Sequence, residues 1–115
     1  MRKRGEVWLA DFNPAHGMEP GKLRPVLIIQ SQALLDAGHP STLVIPLTTN
    51  LVKNAEPLRI RVPAADRLAR QSDLLMDQVR AIDNQRLVKG PLTRLTPTQM
   101  KQITVALLEL VGVVP

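Results

Sequence analysis

The sequence predicts a small, mainly β domain: a strongly curved antiparallel sheet or barrel with one amphipathic C-terminal helix. Three observations carry that reading. The chain has 115 residues, the length of one domain, with no internal repeat, low-complexity tract or linker, so residues 1–115 read as a single unit. Its apolar residues fall in short alternating or β-favouring runs, cut by ten prolines and six glycines that keep each element short. Helical spacing of apolar residues appears once, behind a capping signature near the C-terminus.

Residues 5–12 (Gly-Glu-Val-Trp-Leu-Ala-Asp-Phe) alternate as a strand does, and Asn13-Pro14 breaks the run. Residues 13–23 follow as a loop rich in turn formers, long for a hairpin and of the kind that carries function. Residues 24–30 hold four consecutive β-favouring apolar residues, Val26 to Ile29, and read as a strand buried on both faces. Pro25, which lacks an N–H, belongs at the start of that strand. Residues 31–38 allow one or two helical turns closed by Gly38, and residues 42–48 form a third strand. In residues 58–62 the alternation turns Leu58, Ile60 and Val62 to the core and leaves Arg59 and Arg61 on a solvated face. Residues 73–83 make one long strand or two short ones, and residues 86–93 a last strand weakened by Gly90-Pro91. Thr96, Pro97 and Gln99 then form a capping box ahead of Met100, Ile103, Leu107, Leu110 and Val111, and Gly112 ends the helix.

Composition removes several chemistries. There is no cysteine, hence no disulfide, no thiolate nucleophile and no cysteine-ligated zinc. The two histidines, His16 and His39, lack metal-ligand spacing and read as surface residues. No metal site and no cofactor is expected. Asp73 and Asp77 read as solvated or ion-paired structural carboxylates. No Gly-rich phosphate loop or nucleophile elbow occurs. No apolar run approaches the roughly 20 residues of a membrane helix, and the basic N-terminus lacks the apolar stretch of a signal peptide, so a cytoplasmic protein is expected. The net charge is +5, with eight basic against five acidic residues in 51–90. That balance favours a polyanion or an acidic protein partner.

An ordered series of segments goes further. Arg4-Gly5-Glu6-Val7-Trp8, Asp11-Phe12-Asn13-Pro14, Gly17-Met18-Glu19 and Gly21-Lys22-Leu23-Arg24-Pro25-Val26-Leu27-Ile28-Ile29-Gln30 stand in the N-terminal part. Val44-Ile45-Pro46-Leu47-Thr48-Thr49 and Asp77-Gln78-Val79-Arg80-Ala81-Ile82-Asp83 follow. In this order and spacing the chain resembles the MazF/PemK toxins over essentially its whole length. The resemblance implies an SH3-like curved sheet, a symmetric homodimer, and cleavage of single-stranded RNA at short preferred sequences. It also implies inhibition by an acidic, partly disordered antitoxin. The family's key arginine falls on Arg24 and its key threonine on Thr48. Glu19, Gly21, Lys22, Thr49 and Gln78 fall where RNA is bound. For Lys22 that means a phosphate contact or a solvated lysine. For Gln78 it means a base edge or a hydrogen bond on the sheet face.

The chemistry so implied suits a chain without Cys or a Ser–His pair, because the ribose 2′-OH is the nucleophile. A guanidinium fork matches two phosphate oxygens, and a threonine hydroxyl can donate to the same oxygens. The arginine stays protonated, so its first task is phosphate stabilisation and its second proton donation. Trp8 and Phe12 are the only aromatic residues. Base stacking therefore falls to Trp8 or an arginine plane, and Trp8 reads first as dimer or core packing. Two rival readings stay open: a CcdB-like non-enzymatic toxin that binds DNA gyrase, and a basic adaptor that binds without turnover.

Overall fold

The structure, a computed structural model, describes residues 2–12 and 23–113. Strand β1 (Glu6–Asp11) pairs antiparallel with β2 (Leu23–Ile28), setting Trp8 opposite Val26 and Ala10 opposite Arg24. A one-turn helix, α1 (Gln32–Asp36), follows; its N-cap Ser31 accepts the Leu34 N–H, and Gly38 closes it with a positive φ of 74°. Strand β3 (Ser41–Thr48) returns along β2, with Val26 opposite Pro46 and Ile28 opposite Val44. Strands β4 (Arg59–Val62), β5 (Ser72–Leu75), β6 (Arg80–Asp83) and β7 (Leu87–Arg94) complete the sheet.

The strand order is β4-β5-β3-β2-β1-β7, with β6 also on β3. Of the two expected forms, sheet or barrel, the open sheet is the one that forms. Strand β3 is its centre. One edge of β3 takes β2; the other takes β6 along Ser41–Val44 and β5 at Leu47 and Thr48. A 3-10 turn, Met76–Gln78, steps between β5 and β6, so the 73–83 stretch is two short strands.

Alternation sorts the sheet into two apolar faces. Val7, Leu27, Ile45, Leu47, Ile60, Val62 and Leu74 pack with Ile103 and Ala106 of the C-terminal helix α2 (Pro97–Leu110) into the main core. Ala10, Val26, Ile28, Val44, Ile82 and Leu87 form a second cluster on the opposite face, joined by Trp8, Phe12 and Leu35. Val26, Leu27 and Ile28 are all buried, so β2 is covered on both sides as its composition predicts. Each fully buried Leu, Ile or Val contributes about 1.5–3 kcal/mol, and a one-residue slip would exchange the two faces. The register is thereby fixed, and with it the placing of every side chain on the site described below.

Helix α2 begins as expected. The Thr96 hydroxyl accepts the Gln99 N–H and the Gln99 side chain accepts the Thr96 N–H. Two expected core residues lie outside. Leu58 precedes β4 and is 49% exposed, and Val111 lies past the last helical residue and is 71% exposed. The β1–β7 pairing shifts register across Gly90-Pro91, passing from Val7 opposite Thr93 to Leu9 opposite Lys89, as the sequence suggests. A Cβ on Gly90 would lie 2.4 Å from the Trp8 ring, so the missing side chain is what lets Trp8 lie against β7.

Candidate active site

Residues directly opposite in antiparallel strands share a face. Ala10 is opposite Arg24. Arg24 stands two residues before Val26, whose partner is Pro46, and Thr48 two residues after Pro46, so both lie on one face at the same end of the β2–β3 pair. Thr48 is opposite Asp73 across β5, and Asp73 is opposite Arg61 across β4. One row of side chains, Thr48-Asp73-Arg61, therefore crosses three neighbouring strands on the face of the second apolar cluster, with Arg24 on the same face of β2 beyond the last paired residue. The sequence presents Arg24 and Thr48 as candidates and separates them by 24 positions; the antiparallel β2–β3 pair puts them at the same end of one face.

Arg24 is exposed, and among the described residues none accepts a hydrogen bond from it. Thr48 is half-buried at the end of β3, and its hydroxyl oxygen accepts the Asn50 N–H at 3.1 Å. With a lone pair so engaged, the hydroxyl proton is left to donate outward. Thr49 is exposed in the bend that follows, and Gln78 is exposed at the end of the 3-10 turn along the other edge of β3. Glu19, Gly21, Lys22 and His16 lie outside the described residues. His39 is exposed, and its carbonyl accepts the Asn84 side chain.

Two features of this face were not legible in advance. The first is Asp73, only 1% exposed. Its oxygens accept Arg61 Nε at 2.6 Å, the Val52 N–H at 2.9 Å and Arg59 Nη1 at 3.4 Å. Arg59 also donates to the Asn50 carbonyl and Arg61 to the Val52 carbonyl. Burial alone would raise the Asp73 carboxyl. The hydrogen bonds from Arg61, Val52 and Arg59, and the charge of Arg61, outweigh it and hold the group below its ordinary value. Arg59 and Arg61 thus face away from the core as predicted, yet they are tied to a carboxylate rather than solvated. The second is Arg80, opposite Val44 on the same face, whose guanidinium lies 5.2 Å from the centre of the Phe12 ring. The alternation Arg59-x-Arg61 was the only sequence signal for the first; Asp73 joins it through a β4–β5 register that no local pattern gives.

Trp8 belongs to the packing. It is half-buried in the second cluster, and its indole N–H donates to Glu6 at 3.1 Å. Among the described residues no three His, Asp or Glu side chains gather as a metal cluster would require. No helix among them is long and apolar enough to cross a membrane.

Residues 3–111 match the family model described as PemK-like, MazF-like toxin of type II toxin–antitoxin system. The chain is 35% identical over 111 residues to a protein of Staphylococcus saprophyticus named endoribonuclease MazF, an alignment covering 93% of this chain and 88% of that one. Its fold matches the MazE–MazF structure (Form-III) from Deinococcus radiodurans with a TM-score of 0.76, at 20% identity and 97% coverage of both chains. Mycobacterium tuberculosis toxin MazF-mt6 aligns with a TM-score of 0.75, at 20% identity over 94% of this chain and 97% of that one. A mycobacterial endoribonuclease in complex with its cognate antitoxin aligns at 0.69, with 22% identity over 97% of this chain and 94% of that one.

Proposed function

Because the chain belongs to the PemK-like, MazF-like toxins of type II toxin–antitoxin systems, we propose that it is an endoribonuclease that cuts single-stranded RNA, mRNA foremost, at preferred sequences without a metal ion. The whole chain, residues 1–115, acts as one such domain. The observation that carries this reading is that an exposed arginine, Arg24, and a threonine whose hydroxyl is oriented by its own turn, Thr48, lie at the same end of one face of the β2–β3 pair.

In this reaction the ribose 2′ oxygen attacks the adjacent phosphorus, the bond to the 5′ oxygen breaks, and the products carry a 2′,3′-cyclic phosphate and a 5′-OH. Negative charge builds on the phosphate oxygens in the transition state. The Arg24 fork and the Thr48 hydroxyl are suited to meet it there, on one face that the sheet holds rigid. A guanidinium keeps its proton at neutral pH, so Arg24 stabilises the phosphate and can protonate the leaving oxygen, while the 2′ proton leaves to another group. Thr49 and Gln78 flank the row as RNA contacts. Glu19, Gly21 and Lys22 contribute from the β1–β2 connection.

The partners follow from charge and family. A cytoplasmic homodimer with a basic surface suits an acidic antitoxin that folds on binding and competes with RNA. The S. saprophyticus relative is named an endoribonuclease, and related folds were solved with antitoxins, which supports both halves of the proposal.

An end-labelled RNA digest in excess EDTA tests it. Wild-type protein is expected to give discrete cuts with 2′,3′-cyclic phosphate ends. Arg24→Ala and Thr48→Ala are each expected to lower the rate about 10²–10³-fold, the usual effect of losing one transition-state donor. Intact RNA after digestion of several diverse substrates would refute the ribonuclease and direct attention to gyrase binding.

A further inference from the structure

We infer that Asp73, clasped by Arg59 and Arg61, is a positioning residue that fixes the Thr48 hydroxyl for RNA cleavage. The inference rests on the ribonuclease reading above and adds to it a group that does not touch the substrate.

Thr48 is the last residue of β3, where a strand is free to fray. Its hydroxyl is oriented by the Asn50 N–H, so its aim depends on the segment that follows. That segment has no apolar anchor: Leu51 and Val52 are 38% and 45% exposed. What holds it is polar and converges on one carboxylate. The Val52 N–H donates to Asp73, Arg61 bridges Asp73 to the Val52 carbonyl, and Arg59 bridges Asp73 to the Asn50 carbonyl. Asp73 is also the residue directly opposite Thr48. The carboxylate therefore fixes both sides of the threonine, the neighbouring strand and the turn beyond it.

Other roles fit less well. As a general base Asp73 would need a free lone pair facing solvent, but it is buried under three N–H donors. As phosphate contacts Arg59 and Arg61 would still have N–H groups to offer, and two guanidinium charges face one carboxylate, but every hydrogen bond they make is aimed inward at Asp73 and the backbone of the turn. Arg24 is the contrast, exposed and with no described acceptor. Nor does stability alone account for the cluster, since a buried ion pair adds little over apolar residues of the same size. What three charged groups supply here is geometry.

Steady-state cleavage of a short RNA in EDTA tests this with wild type, Asp73→Asn and Arg61→Gln, each also combined with Thr48→Ala and assayed at high enzyme concentration. The expected result is a fall in kcat of about 10-fold or more for Asp73→Asn and for Arg61→Gln, with KM nearly unchanged, as for misplacement of a catalytic group. In the Thr48→Ala background the same substitutions are expected to cost less than about 2-fold, because the group they position is gone. Equal losses in both backgrounds would mean a general structural defect and overturn the inference. A rise in KM alone would make the arginines RNA contacts and overturn it too, as would unchanged rates. If Asp73→Asn fails to fold, Arg61→Gln, at a partly exposed position, carries the test. Wild-type protein that leaves RNA intact overturns the ribonuclease reading itself; wild type that cuts, with variants that cut equally well, overturns only the clasp.

Discussion

Glu6 and Asp73 are almost wholly removed from solvent, each under arginine. For Glu6 burial pushes the carboxyl up. Hydrogen bonds from Arg94, the Trp8 indole and the Lys3 N–H, with the charge of Arg94, more than offset this and hold it below its ordinary value. Asp73 is lowered likewise. A carboxylate whose folded-state pKa lies below its unfolded value stabilises the fold fully above the unfolded value. That contribution disappears as pH falls through the folded value. Their ordinary values are 4.5 and 3.8, so the protein should keep its stability down to about pH 5 and lose it steadily below pH 4. Urea midpoints at pH 7 and pH 3 check this: the drop should be smaller in a Glu6→Gln/Asp73→Asn double variant than in wild type. At this scale the sequence was informative only where residues fell in a recurring order. Arg24 and Thr48 stood out through the motif around them. Asp73 read as a solvated or ion-paired structural carboxylate, and which of these it is could not be told because its partner Arg61 is 12 residues away; the Glu6 partner, Arg94, is 88 residues away.

Elements whose signals are local were legible, and those shaped by a distant side chain were not. The capping box of α2 needs only Thr96, Pro97 and Gln99, and it forms as read. Thr96→Ala should lower stability by about 1 kcal/mol, seen as a shifted urea midpoint with no change in slope. Strand β7 is the opposite case. Gly90-Pro91 marks a break by local rules and the pairing does shift there, but the reason is not local: the glycine is there because Trp8 needs the space. At Gly38 and Gly112 a Cβ would meet nothing, and the backbone φ is what asks for glycine. At Gly90 the cause is steric. Gly90→Ala should therefore destabilise by about 1–3 kcal/mol, the usual effect of overpacking. Trp8 is the only tryptophan, so its fluorescence should shift in the folded variant, while a Gly38→Ala control should leave the emission unchanged.

The net charge of +5 suggested a polyanion partner but not which cations meet it. The fold divides them. Arg59 and Arg61 share the buried Asp73, and Arg94 lies on Glu6, so much of their charge is answered within the protein. Arg24 and Arg80 lie on the same sheet face as Thr48, with no carboxylate in an ion pair with them among the described residues. Each phosphate contact to single-stranded RNA releases counterions and adds about 0.7 to the slope of log affinity against log salt. For an uncleavable 2′-deoxy or 2′-O-methyl oligonucleotide, Arg24→Ala should then reduce that slope by about 0.7, while Arg61→Gln should leave it unchanged. The sequence set Arg24 apart through its motif, but it gave no sign that Arg59 and Arg61 share a buried carboxylate, because Asp73 joins them only through the β4–β5 register. A slope that fell equally for both variants would place Arg61 on the RNA and remove the division of charge argued here. A slope that fell for Arg24 alone would mean that binding follows the face from Arg24 to Thr48 and stops where Asp73 begins.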